Sequence, residues 1–471
     1  MTVKIKIKKK LLNSYWDGLK SDNGSSYTSI LNYFAPELIT ALVIYSLPYL
    51  IDELFIAQLK SVSTYAAVGL TNSTLINLIT KIAEGVAVGI TIAVGISNGA
   101  GKEELIGKTL IQSVWVTLII GGLVAFSLFT GANFLLFNYG FTPDMIIIGV
   151  PFLRLKSIGV FLNFLLFAII GFLRGCKNTK TPMFIFISGA ISFIFFDFIL
   201  IFGKLGLPSL GFLGSAWASI IQQIVMIILA LYSVYKSLNY KRFQIKFYWP
   251  SYTVMVSIFN LSWPIIIDKA IMSICYIWLG KMISPMGTNM LATFNVIKNI
   301  ERFAFLPAIA GAQIITFLAS NLIGAGKSDG IKSTIKKTML ISATVVFSLL
   351  MLISFYPAQI IGCFDKTGSF TAQAAQVLPI ISIFVFIDLI QLILSASLRG
   401  MSQVRLVMNT RLLFSFFFFL PTTYLINNFI FIEPILKFLL LFGTLYISSA
   451  LMACLYVYKF RAMELTSKEI V

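Results

Sequence analysis

The sequence predicts an all-α membrane protein: twelve transmembrane helices in two parallel six-helix lobes. Composition, the number of long apolar runs, and a repeat at one fixed offset predict it. Of 471 residues, 58% are hydrophobic, 14% aromatic and only 11% charged, with a mean hydropathy of +0.92. A soluble domain normally has about a quarter of its residues charged, which argues against a water-soluble enzyme. Runs of about 20 apolar residues cross the roughly 30 Å hydrocarbon core. An outer-membrane barrel would show ~10-residue alternating segments, unlike the continuous run LISATVVFSLLMLISFYPAQII at 340–361.

Apolar runs bounded by Gly, Pro and charge fall near 35–58, 66–94, 109–130, 146–171, 182–203 and 213–235. A second six follow near 254–280, 289–320, 338–361, 374–398, 407–427 and 436–458. Loops on the side of the N-terminus, with both termini, hold 24 Lys and Arg; the opposite loops hold four, Lys60, Lys204, Lys281 and Lys366. Basic residues mark the cytoplasmic side of a membrane protein, so this bias predicts both termini in the cytoplasm, as an even number of spans requires. It also accounts for the formal charge of +18 without a nucleic-acid partner. The basic start MTVKIKIKKKLLNSYWDGLK lacks the apolar stretch and cleavage site of a signal peptide and reads as a cytoplasmic arm.

Gly99-Ala100-Gly101-Lys102 recurs as Gly324-Ala325-Gly326-Lys327, and Leu173-Arg174-Gly175 as Leu398-Arg399-Gly400, both 225 residues on. Two motifs at one offset indicate an internal duplication. Six spans per copy make the copies enter the membrane in the same sense, as in transporters built from parallel repeats around a central cleft. The predicted organisation is an arm at 1–34, an N-lobe at 35–245, a C-lobe at 246–460 and a cytoplasmic tail at 461–471. The GAGK pairs are no phosphate loop, because the Gly that GxxxxGK[ST] needs five residues earlier is replaced by Ile96 and Asn321. Gly85 and Gly89 suit close helix packing of the small-xxx-small kind.

Chemistry falls to the carboxylates. The chain has no His, which removes His-based metal sites, bases and switches. Its four cysteines (Cys176, Cys275, Cys363, Cys454) are scattered without CxxC spacing and read as small apolar fillers. No cofactor is implied, nor enzymatic catalysis, which would need convergent nucleophiles or metal ligands. An ionisable side chain at a helix centre costs ~2.5–3.5 kcal/mol on insertion scales, so each one needs a partner, a wet cavity or a function. Asp52, late in the first span, and Asp197, mid-span in FIFFDFILIF, are the leading candidates. Because burial favours a neutral carboxyl and a nearby cation favours the ionised one, a proton and a cationic ligand can compete for one such Asp. Asp388, with Gln391 three residues on, is the C-lobe candidate. Glu53, turned about 100° from Asp52 on a helix, cannot share its cavity equally. Lys81 and Glu84 can pair across one face, a structural reading that competes with a role for Glu84. Lys298, Glu301 and Arg302 are also self-satisfying in principle, yet three charges in one turn suggest a cavity wall. Arg154 and Lys156 are expected to snorkel at the outer end of the fourth span. The run FSFFFFLP at 414–421 reads as lipid-facing or packing bulk. The lobes differ in their acids: at the repeat offset Asp388 falls opposite Asn163, but Asp52 and Asp197 fall opposite Ile277 and Thr422.

Several stretches resemble the MATE family, the multidrug and toxic compound extrusion transporters. LPYLIDELFIAQL is similar to the family's first helix, VGISNGAGK to the loop after the second, and GFLRGCKNTKTP to the loop after the fourth. The longest match is FFDFILIFGKLGLPSLGFLGSAWAS at 195–219, and FIDLIQLILSASLRG resembles the second-half helix that carries Asp and Gln before LRG. One departure is Phe193, one turn before Asp197, where the family often has Asn; a phenyl ring cannot coordinate an ion. Asp268 does not align with the acid some members carry in the seventh helix and stays a candidate. The resemblance implies a MATE-like fold of the MOP superfamily. It also implies a monomeric antiporter in the lipid bilayer, exporting organic cations or amphipathic compounds in exchange for H⁺ or Na⁺. Coupling-ion and substrate sites are expected among Asp52, Asp197, Asp388, Gln391, Glu301, Glu84 and Asp268, and any Na⁺ at Asp52 and Asp197. A bacterial inner-membrane location follows. The competing reading is a lipid-linked oligosaccharide flippase of the same superfamily, whose cavity is more cationic and which Lys298, Arg302 and Arg154 facing one cleft would favour.

Overall fold

A computed structural model describes residues 24–45, 47–59, 61–236, 241–362, 364–365, 368–430 and 432–468. Most of the basic arm, Lys60, Cys363 and Lys366 therefore lie outside the described residues. Seventeen α-helices are described: α1 Tyr27–Tyr45, α2 Leu47–Ala57, α3 Val62–Leu70, α4 Asn77–Gly99, α5 Glu103–Asn138, α6 Pro143–Gly175, α7 Lys180–Phe202 and α8 Phe212–Lys236. There follow α9 Tyr252–Ile283, α10 Thr288–Ala304, α11 Leu306–Gly324, α12 Asp329–Phe355, α13 Pro357–Gly362, α14 Thr371–Gly400, α15 Val404–Phe414, α16 Leu420–Phe429 and α17 Pro434–Lys468. Among the described residues, twelve segments are long and apolar enough to cross a membrane. The first begins at Tyr27, inside the stretch assigned above to the arm, and the predicted eighth run, 289–320, is broken at Phe305, ahead of Pro307 at the start of α11, so that the eighth segment is Leu306–Gly324. Pro lacks an N–H and restricts the residue before it, so the break falls where the sequence dictates it.

The chain forms two compact units. One, the N-unit, is Ile39–Ala270; the other, the C-unit, comprises the described residues up to Leu38 and those from Ile271 onward. The divisions fall inside α1 and α9. In the N-unit α6 is the pillar, packing on α4, α5 and α8, while α7 pairs with α8 and α2. In the C-unit α14 holds the same place, packing on α11, α12 and α17.

The duplication is visible in the hydrogen bonds. Thr91 Oγ1 donates to the carbonyls of Ala87 and Gly171 at 2.9 and 3.1 Å; Thr316 Oγ1 donates to those of Ala312 and Ala396 at 2.8 and 3.3 Å. Every residue in the second set lies 225 positions after its counterpart. The turns repeat as well: Lys177 and Ser402 have φ 61° and 64°, and Gly101 and Gly326 have φ 68° and 70°. Close approach of helices explains the glycines of the Leu-Arg-Gly motif, whereas Gly101 and Gly326 serve the left-handed turns. A Cβ at Gly175 would lie 2.7 Å from Val94 Cβ, and one at Gly400 2.6 Å from the Thr316 carbonyl oxygen. Gly85 packs as the sequence suggested, since its Cβ would meet Ile266 Cγ1 at 2.8 Å.

The outward faces are apolar. Phe126, Phe134 and Phe137 of α5 and Phe417 of the aromatic run are 69, 71, 70 and 80% exposed, an arrangement that suits lipid and not water. Phe419 of the same run is buried instead, in the C-unit core. Of the cysteines, Cys275 is buried as a filler should be, whereas Cys454 is exposed. Burial pushes the Cys176 thiol, in the turn after α6, up to about 12.

Candidate functional site

The N-unit brings two of the sequence-predicted acids together and adds a group that was not predicted. Asp52 on α2 and Asp197 on α7 are both buried, on helices that pack against each other through the aromatic contacts of Phe55 with Phe198 and Phe202. Asn72 Nδ2, in a π-helical turn at Thr71–Ile76, donates to Asp52 Oδ2 at 3.5 Å, but Asp52 Oδ1 has no hydrogen-bond partner. Neither carboxylate oxygen of Asp197 has one. Ser215 Oγ on α8 lies beside Asp52 without a completed hydrogen bond. Leaving buried polar groups unsatisfied costs about 1–3 kcal/mol each, more when charged, so three such oxygens in one place mark a site.

The unpredicted group is Lys156 on α6. Read from sequence as a snorkelling residue, it is buried, donates Nζ to Ser219 Oγ, and interacts electrostatically with both Asp52 and Asp197. The correction follows from helix geometry. Arg154 and Lys156 are two residues and thus about 200° apart, so only one of them can turn outward. Arg154 is exposed over the Phe129 ring, and Lys156 turns in. Ile56, Phe152 and Ile201 lie one turn, four residues, from Asp52, Lys156 and Asp197 respectively. With Val68 and Ala216 they form one buried apolar cluster. It caps the charged layer on the side where α2 and α7 end and α6 and α8 begin. Glu53 is exposed, as its angle to Asp52 required.

Glu84, on α4 of the same unit, sits in a saturated ion cluster. Its Oε1 accepts from Tyr45 at 2.7 Å and Lys81 at 3.0 Å, its Oε2 from Lys81 at 3.2 Å and Lys269 at 2.8 Å. The Lys81 pairing follows from spacing; Lys269, 185 residues away, does not. Asp268 is buried on α9 but is not among the groups acting on Asp52 or Asp197.

The C-unit joins the other candidates. Asp388 Oδ1 on α14 accepts from Ser449 Oγ of α17 at 2.9 Å, and Glu301 Oε1 on α10 accepts from the Tyr446 hydroxyl of α17. Glu301 therefore turns to a tyrosine, not to its helix neighbours as the self-satisfying reading held, and Lys298 lies over the Phe294 ring. Arg411 acts electrostatically on Asp388, and Tyr276 feels both acids. Gln391 is buried with its Nε2 unpartnered. Among the described residues no group of three or more His, Cys, Asp or Glu could hold a metal ion.

Among the described residues the chain is all-helical with twelve candidate spans, duplicated and with acids buried mid-span, the architecture of a multi-pass membrane transporter. The MatE family profile matches residues 38–199 and 264–425, one segment in each repeat. The chain belongs to this family of multidrug efflux transporters. It is 24% identical over 351 residues to the probable multidrug resistance protein YoeA of Bacillus subtilis (73% of this chain, 75% of that protein). It is 25% identical over 388 residues to the multidrug resistance protein PmpM of Pseudomonas aeruginosa (80% and 79%). Among solved structures, it superposes on a MATE transporter in the straight conformation with TM-score 0.84 at 18% identity, covering 96% of this chain and 98% of that one. An outward-facing multidrug resistance MATE transporter of the MOP superfamily gives TM-score 0.82 at 17% identity, covering 95% and 98%.

Proposed function

We propose that the protein is an antiporter that exports organic cations or amphipathic compounds in exchange for an inward flux of H⁺ or Na⁺, with Asp52 and Asp197 as the coupling carboxylates. The observation that carries this reading is Asp197: fully buried, with both oxygens unpartnered, beside a second buried acid. A carboxylate so placed gains by taking up a proton or a cation, and whichever species it holds excludes the other. Ion uptake then favours substrate release outward, and alternating exposure of the site resets the cycle. One charge moved through the membrane potential is worth ~2.3 kcal/mol per 100 mV, enough for roughly 50-fold accumulation. In the C-unit, Glu301, Asp388 and Gln391 are assigned to substrate binding, and Glu84 to structural pairing. The lysine-rich loops support a cytoplasmic membrane location with both termini inside.

The test is dye efflux from proteoliposomes with a pH gradient and a Na⁺ gradient imposed separately, on wild type and Asp197→Asn. Export driven by at least one gradient in wild type and by neither in the variant is expected. Wild-type export indifferent to both gradients refutes antiport; full coupling in the variant refutes the role of Asp197.

A further inference from the structure

Lys156 brings a buried cation to the two acids of the N-unit. Its ammonium interacts with both Asp52 and Asp197 and is anchored by Ser219 Oγ. We propose that Lys156 is the resident cation of the N-unit site and that it makes Asp52 and Asp197 selective for protons against Na⁺. This deepens the coupling-site reading above and rests on it.

Three features argue together. The first is charge. Two carboxylates and one ammonium leave a single negative charge, which one proton discharges by forming an O–H bond on one carboxylate oxygen, with no other ligand needed. A sodium ion could discharge it too, but only by entering beside a fixed ammonium. Two unit positive charges about 5 Å apart at an effective dielectric of ~20 disfavour that arrangement on the order of 100-fold.

The second is ligands. Hard cations are held by several oxygens that replace their water. Along its own helix face Asp197 is flanked by Ala190, Phe193 and Ile201, all buried hydrocarbon. On α8 the Ser219 hydroxyl is committed, accepting from Lys156 and donating to the Ser215 carbonyl at 2.9 Å. On the π-turn Asn72 presents its N–H to Asp52, a donor where a cation needs an acceptor. The unengaged oxygens are Asp52 Oδ1, the two of Asp197 and Ser215 Oγ.

The third is access. The apolar layer of Ile56, Val68, Phe152, Ile201 and Ala216 closes one side, which limits the water a partly dehydrated ion could retain. Among the described residues, the charged and titratable groups facing the site are Asp52 from α2, Lys156 from α6 and Asp197 from α7; the exposed Glu53 feels the Asp52 charge but is not among the groups acting on either acid.

The experiment measures saturable ²²Na⁺ binding to the purified full-length protein in nanodiscs, alongside gradient-driven dye efflux. Wild type and Lys156→Arg, which keeps the charge, are expected to bind no Na⁺ saturably and to run on the pH gradient alone. Lys156→Met is expected to gain saturable Na⁺ binding, with apparent affinity raised on the order of 100-fold, and to lose it again in the double variant with Asp197→Asn. A lysine that only supports packing would give no such gain. Saturable Na⁺ binding in wild type that Asp197→Asn removes overturns the proposal while leaving the coupling reading intact. So does a Lys156→Met protein with wild-type melting behaviour and no Na⁺ binding; should that variant not fold, Lys156→Gln is read in its place. If efflux is unaltered in Asp197→Asn, the coupling reading itself has failed.

Discussion

The two units share a scaffold and differ in what they bury. Thr91 and Thr316 make the same hydroxyl-to-carbonyl bonds, and the turns at Lys177 and Ser402 adopt the same left-handed backbone. The interiors diverge. In the N-unit, three acid oxygens lack partners around a lysine; in the C-unit, Glu301 and Asp388 are each met by a hydroxyl from α17. At the repeat offset Tyr446 and Ser449 correspond to Ile221 and Ile224, and Lys156 to Ile381. Duplication has thus kept what close helix packing demands, while the polar interior of each copy was set independently. An unpaired acid is poised to bind something, whereas a hydroxyl-paired acid is already half satisfied.

The largest expected effect tests that contrast directly. Asp197→Asn is expected to lower coupled efflux by at least 100-fold, and Asp388→Asn, whose amide can still accept from Ser449, by about 10-fold or less, in line with 10² losses for key charged groups. Equal losses in the proteoliposome assay would erase the distinction between the units. Next comes the shared scaffold. Gly175→Ala and Gly400→Ala force a methyl against Val94 and against the Thr316 carbonyl, and overpacking of this kind costs about 1–3 kcal/mol. Both variants are expected to melt earlier in detergent by similar amounts; one tolerated and one not would show that the scaffolds are not equivalent. Tyr446→Phe strips Glu301 of its donor without changing shape and is expected to cost about 1–2 kcal/mol. The same scan reads it, and substrate affinity should fall if Glu301 belongs to the binding surface. The smallest effect belongs to Arg242, which pairs with Glu103 at an exposed position. Arg242→Ala should cost under about 1 kcal/mol, leaving melting and efflux within error.

Much of the fold was readable because apolar length and basic loops report on the bilayer, which acts on every span alike. The repeat was legible from two short motifs because Gly175 and Gly400 permit a backbone approach that no other residue allows. The Lys81–Glu84 pair could be read from helical spacing. Lys269 could not, since its contact depends on how α9 meets α4, nor could Tyr446 and Ser449, whose hydroxyls look like ordinary helix residues until α17 is placed on α10 and α14. The inward turn of Lys156 does have a signal in the sequence. Its two-residue separation from Arg154 puts the two side chains on opposite faces of the helix, so helix angle outweighs nearness to the helix end.

The layer of Ile56, Val68, Phe152, Ile201 and Ala216 has a consequence for economy. A carrier that exchanges one solute for another must not let the driving ion slip through unaccompanied, because every uncompensated passage dissipates the gradient that drives it. A hydrocarbon stopper one helical turn from the charged residues interrupts any continuous file of water molecules at that point. In the antiport cycle proposed above, this layer would insulate the protein against short-circuiting while idle.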